Sequence, residues 1–143
     1  MRDGAIDASK VQRTGVFAGL EDEDVEGILR VGHAVSFEPD RAIFEIGDRG
    51  DAMFVILEGE VQVDVGGGFH RLTAGDFFGE IAVIAPGLRM ATVRAATPVR
   101  ALAVPADAFQ AFLLEHPRLG LSMMRFLVTR LREVEQRLDA WMA

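Results

Sequence analysis

Phe78-Gly79-Glu80-Ile81-Ala82-Val83, followed six residues later by Arg89 and then by Ala91-Thr92-Val93, is the stretch on which the reading of this chain turns. Gly79 lets the backbone approach a ligand with no Cβ in the way. The short apolar run behind it can form one helical turn whose free N–H groups point at an anion. Arg89 adds a planar fork of donors that fits phosphate oxygens. Glu80 has no place in a site for phosphate alone, because a carboxylate beside a phosphate is repelled unless a hydrogen-bond donor lies between them. A ribose hydroxyl is such a donor, so the pattern reads as a site for a small phosphate on a sugar.

Working outward, the upstream segment from Ile43 to Gly59 places glycines at 47, 50 and 59 around the apolar run Phe54-Val55-Ile56-Leu57. In this order the two segments resemble the two signatures of the cyclic nucleotide-binding domain family, and the resemblance covers most of the chain. It implies an α+β fold: an antiparallel β-roll or jelly-roll barrel with a short phosphate-binding helix, an N-terminal helix and two C-terminal helices. It further implies that Glu80 receives the ribose 2′-hydroxyl and that Arg89 neutralises the cyclic phosphate. Backbone N–H groups of Gly79, Ala82 and around Ala91 would meet that phosphate, with Ile81 and Met90 completing the ligand-binding set. Val63 and Phe69 are expected to supply apolar contacts to the ring system. In the family a threonine or serine directly after the arginine accompanies a preference for guanine. Met90 stands there and cannot make that hydrogen bond, so the expected ligand is cyclic AMP, with cyclic GMP second. No cofactor and no metal are expected.

The 143 residues suit one domain with a core of its own, expected over 16–143 behind a lead-in at 1–15. Cysteine is absent, which removes disulfides, thiolate metal sites and cysteine nucleophiles together. A formal charge of −7 argues against direct nucleic-acid binding, which requires a basic surface. No run of residues is apolar and long enough to span a bilayer, and the N-terminus lacks the apolar core of a signal peptide. A soluble cytoplasmic protein is expected.

Leu20, Val25, Ile28, Leu29 and Val31 recur at helical spacing behind Glu21-Asp22-Glu23-Asp24, an acidic run that reads as a helix cap rather than a cation site. Between about 33 and 104, short apolar runs punctuated by glycine and proline predict the strands of the roll. Val61-Gln62-Val63-Asp64-Val65 alternates and should line an interior. Gly66-Gly67-Gly68 reads as a hairpin turn, since neither a helix nor a lysine follows it as a phosphate loop would require.

Two helices are expected over 105–142, the first opened by Pro105 and closed before Pro117. On the second, Met124, Leu127, Leu131, Val134, Leu138 and Trp141 alternate steps of three and four. That spacing predicts a parallel homodimer seam, with Arg130 and Glu135 placed for an interhelical ion pair; the alternative is a helix that lies on its own domain. His70 reads as an exposed strand residue, in preference to one close to the purine edge.

Three isolated histidines, His33, His70 and His116, offer no H-x-H spacing for a cupin-type metal site. The cassette holds no candidate base for hydrolysis, so a sensor is expected rather than an enzyme. Regulators of this superfamily continue into a helix-turn-helix domain, whereas this pattern ends with the long helix at Ala143. The expectation is a stand-alone sensor acting through an unknown effector protein; the alternatives are a regulatory module of a larger signalling system and an interaction domain without a ligand. Closure of the cassette should press Val83 and Ile84 on Phe109 and Leu113 of the penultimate helix.

Overall fold

The computed structural model describes Val11 and residues 15–64 and 68–142, without the side chains of 16, 138 and 140–142. Most of the lead-in and the turn at Gly66-Gly67 therefore lie outside the described residues, as do the side chains of Leu138 and Trp141.

Alternation in β4 (Glu60–Asp64) buries Val61 and Val63 and leaves Asp64 exposed. That one buried face defines the second of two antiparallel sheets. In it β2 (Ala42–Phe44), β7 (Thr92–Ala95), β4 and β5 (Phe69–Thr73) lie in that order. The first sheet runs β1 (His33–Phe37), β8 (Val99–Pro105), β3 (Ala52–Glu58), β6 (Phe77–Phe78). Each sheet has four strands, and among the described residues no pairing joins one to the other, so the fold is a roll rather than a closed barrel.

The first sheet lies between the second sheet and the helices, which explains why its central strands read as continuous apolar runs. On β8, Val99 and Ala101 face the core between the sheets, while Leu102 and Val104 face the core beneath the helices. On β3, Ile56 joins the inter-sheet core, and Met53 and Val55 join the helical one. The chain passes from β3 to β4 through Gly59 at φ +92°, where a Cβ would stand 2.2 Å from the Pro98 carbonyl oxygen. Only glycine fits both that conformation and that approach.

The N-terminal helix α1 (Asp22–Val31) buries Val25 and Ile28. Its acidic first turn complements the helix dipole, although Glu21 at the cap makes no side-chain cap hydrogen bond. The run also ties distant elements together. Asp24 Oδ1 lies 3.2 Å from His116 Nδ1, and Glu21 pairs with Arg118 at 2.9 Å. These partners sit at the elbow between α3 (Ala106–Glu115) and α4 (Pro117–Met142). Pro105 is the N-cap of α3 rather than its first residue, and it is Pro117 that opens a helix. None of the described helices is long and apolar enough to cross a membrane.

Candidate functional site

The two signature segments fold into one unit. Arg89 N–H donates to the Asp48 carbonyl at 2.7 Å, Gly47 N–H to the Arg89 carbonyl at 2.9 Å, and Arg49 bridges Leu88. This pairing fixes the backbone on either side of Arg89. Opposite it, Gly79 adopts φ +82° as the N-cap of α2 (Glu80–Ile84), where a Cβ would stand 2.8 Å from an Arg89 guanidinium nitrogen. The arginine therefore uses space that a side chain at 79 would occupy.

Arg89 is 6 % exposed and Glu80 5 % exposed. The guanidinium donates to the carbonyls of Gly79 at 3.0 Å and Ala52 at 2.6 Å, and its Cζ lies 4.0 Å from the centre of the Phe44 ring. Its Nε is buried without a hydrogen-bond partner among the described residues. Burial pulls the guanidinium below its ordinary pKa, opposed by the charges of Asp51, Asp48 and Glu80. Burial likewise pushes the Glu80 carboxyl above its ordinary value, offset in part by a backbone hydrogen bond and by Arg130 and Arg89. No direct ion pair joins Glu80 to Arg89.

A cavity of about 500 Å³ opens beside these groups. The cassette wall includes Gly79, Glu80, Ile81, Ala82, Arg89, Met90 and Ala91, all of which the sequence singled out, together with Phe78 and Leu88. Val63 lines the sheet wall, whereas Phe69 is 60 % exposed on β5 and does not line the cavity.

The structure adds residues that the sequence reading did not assign to the site. Leu127, Arg130 and Val134 of α4 form the wall facing the sheet, with Phe44, Leu72 and His70 also in the lining. Arg130 donates to the Phe77 carbonyl at 3.1 Å, reaches Glu80 Oε1 at 3.8 Å, and lies over the Phe77 and Phe126 rings. These contacts all lie within its own domain.

His70 is half-buried in the cavity wall rather than an exposed strand residue. Burial lowers its pKa, reinforced by Arg130 and Arg137 and opposed by Glu133. The period-two alternation of β5 was the available signal, because Leu72, two positions on, is buried on the same face. Val83 shares a core cluster with Phe109 and Leu113 as expected. Ile84 is exposed instead, and the link from α2 to α3 is a hydrogen bond from Gln110 Nε2 to the Val83 carbonyl at 2.7 Å.

The family model for the cyclic nucleotide-binding domain matches residues 34–116. The chain belongs to this family. It is 28 % identical over 132 residues to the CRP-like cAMP-activated global transcriptional regulator of Mycobacterium tuberculosis, covering 88 % of this chain and 59 % of that protein. It is 32 % identical over 120 residues to the mouse potassium/sodium hyperpolarization-activated cyclic nucleotide-gated channel 3, covering 83 % of this chain and 15 % of the channel. Among solved structures, the catabolite activator protein of Thermus thermophilus aligns with a TM-score of 0.78 at 27 % identity, over 90 % of this chain and 63 % of that one. The chain therefore spans less than two thirds of each of these three relatives. What they share with it is a regulatory cyclic nucleotide-binding domain.

Proposed function

We propose that this domain senses 3′,5′-cyclic AMP and relays its binding through α4 to a partner protein. One observation carries the reading: a buried carboxylate and a buried guanidinium share a cavity without pairing with each other. A ligand with a hydroxyl donor beside an anionic phosphate satisfies both, with the 2′-hydroxyl on Glu80 and the phosphate on Arg89 and the α2 backbone. The Met90 side chain in the cavity lining has no hydroxyl to hydrogen-bond a guanine, which favours adenine.

The relay reading is supported by the α4 residues in the cavity wall and by the Arg130 contact with Glu80. A nucleotide that takes over Glu80 shifts α4 by as much as its affinities for the two arrangements differ, and no further. The remaining face of α4 exposes Leu121, Met124, Val128 and Leu131, again in steps of three and four. We assign the homodimer seam to this stripe, since Leu127 and Val134 of the expected seam line the cavity. Sedimentation checks it: Met124→Glu with Leu131→Glu is expected to give a monomer at tens of micromolar that still binds nucleotide.

Calorimetric titration of the folded protein with cyclic AMP and cyclic GMP tests the function. Saturable heat with both, tighter for cyclic AMP, is expected. Absence of heat and of thermal shift with either would leave a ligand-free interaction domain, and tighter cyclic GMP would overturn the role given to Met90.

A further inference from the structure

We propose that Phe44 is a positioning residue that holds the Arg89 guanidinium in its phosphate-binding orientation before any ligand arrives. The part of this proposal that concerns nucleotide affinity rests on the reading above, while the part that concerns the arginine stands on geometry alone.

Four groups form a slot around the guanidinium. The Phe44 ring lies 4.0 Å from Cζ, and the carbonyls of Gly79 and Ala52 accept its terminal N–H groups. Gly50 closes the slot, because a Cβ there would stand 3.1 Å from both Nε and Cζ. Two carbonyls engage only part of a five-donor fork, and two hydrogen bonds alone let the plane rock about the axis through them. A ring against the guanidinium removes that freedom through cation–π attraction and dispersion, which strengthen when water is excluded. Water has little access to it here, since Arg89 is 6 % exposed.

The ring is itself held in place. Its centroid lies 6.2 Å from that of Phe54 and 5.8 Å from that of Phe78, which are stacked on each other at 5.1 Å. The pairing of β2 with β7 shifts register between Ala42 and Phe44, so a bulge sets the position from which Phe44 reaches the cavity. The inter-sheet core thus reaches Arg89 through the Phe44 side chain. A guanidinium fixed in this way loses little freedom when phosphate binds.

The first test needs no nucleotide. In wild-type protein the Arg89 Nε–Hε resonance, assigned by its loss in Arg89→Lys, is expected to be displaced by the aromatic ring and slow to exchange with water. Phe44→Leu should return it to the position and exchange rate of solvent-exposed arginines, and Phe44→Tyr should keep it displaced. An unchanged resonance in Phe44→Leu overturns the proposal, because the carbonyls then suffice. Phe44→Met serves in its place should the leucine variant unfold below room temperature.

The second test is a cycle with cyclic AMP. Phe44→Leu is expected to weaken binding about five- to thirty-fold in the wild-type background and by less than about twofold in Arg89→Ala, with Phe44→Tyr near wild type. Equal losses in both backgrounds would make Phe44 a plain cavity wall and overturn its positioning role. If the wild type binds no cyclic nucleotide, the proposed function falls, and the resonance still decides whether Phe44 holds Arg89.

Discussion

Two arginines reach the same cavity from different walls, and they are held differently. Arg89, from the loop after α2, is 6 % exposed and held by two carbonyls at 3.0 and 2.6 Å and an aromatic ring. Arg130, from α4, keeps a side chain 25 % exposed, one carbonyl at 3.1 Å, two rings at 5.1 and 5.2 Å, and a carboxylate at 3.8 Å, beyond good hydrogen-bond distance. The first is built into the roll, so a ligand meets donors already aimed. The second is held more loosely, and it sits on the element to which the proposed function assigns the relay. Recognition calls for preorganisation, and relay calls for contacts that can be exchanged. Each arginine has the anchoring suited to one of those tasks.

The comparison breaks first at Arg89. Arg89→Ala is expected to weaken cyclic AMP by tenfold or more, since a hydrogen bond to a charged group is worth about 1.5–3 kcal/mol. Calorimetry giving a loss under threefold would show that the built-in arginine is structural only.

Glu80 lies between the two arginines and sharpens the contrast. Glu80→Gln is expected to weaken cyclic AMP about three- to tenfold and to leave the weaker binding of its 2′-deoxy analogue nearly unchanged, because the analogue lacks the hydrogen-bond donor. Equal losses for both ligands would place the 2′-hydroxyl elsewhere.

The same carboxyl makes stability depend on pH. Its folded pKa is raised, chiefly by burial, so the folded state holds the proton more tightly than the unfolded state does. The penalty for burying the charge is complete above the folded pKa, and it fades as pH falls from there to the ordinary glutamate value. Glu80→Gln is therefore expected to raise the thermal midpoint relative to wild type at pH 8, with the difference shrinking as the pH is lowered through that window. A difference independent of pH would place the effect in packing.

The smallest effect is expected at Arg130. A partly exposed pair is worth about 0–1 kcal/mol, so Arg130→Ala should change cyclic AMP affinity less than about fivefold. Amide exchange along α4 should nevertheless quicken in the unliganded protein. Unchanged exchange would remove Arg130 from the relay and leave Leu127 and Val134 to carry it.

Local chemistry was legible from the chain alone. The positive φ at Gly79 and the crossing at Gly59 each require a glycine, and the spacing from Glu80 to Arg89 reflects one short helix and one loop. The burial of Val61 and Val63 follows from a period of two, and that of Val25 and Ile28 from a period near 3.6. These are short-range constraints, set by backbone geometry within a few residues, so sequence determines them directly. Only the tertiary structure decided which side of α4 meets its own roll. The apolar residues of that helix recur in steps of three and four on more than one stripe, and a stripe that packs on a cavity has the same spacing as one that packs on a second copy. Phe44 over Arg89 and Arg130 against Glu80 likewise join side chains 45 and 50 positions apart. Contacts at such separations arise from how two sheets and a helix close on one another, and no local period records them.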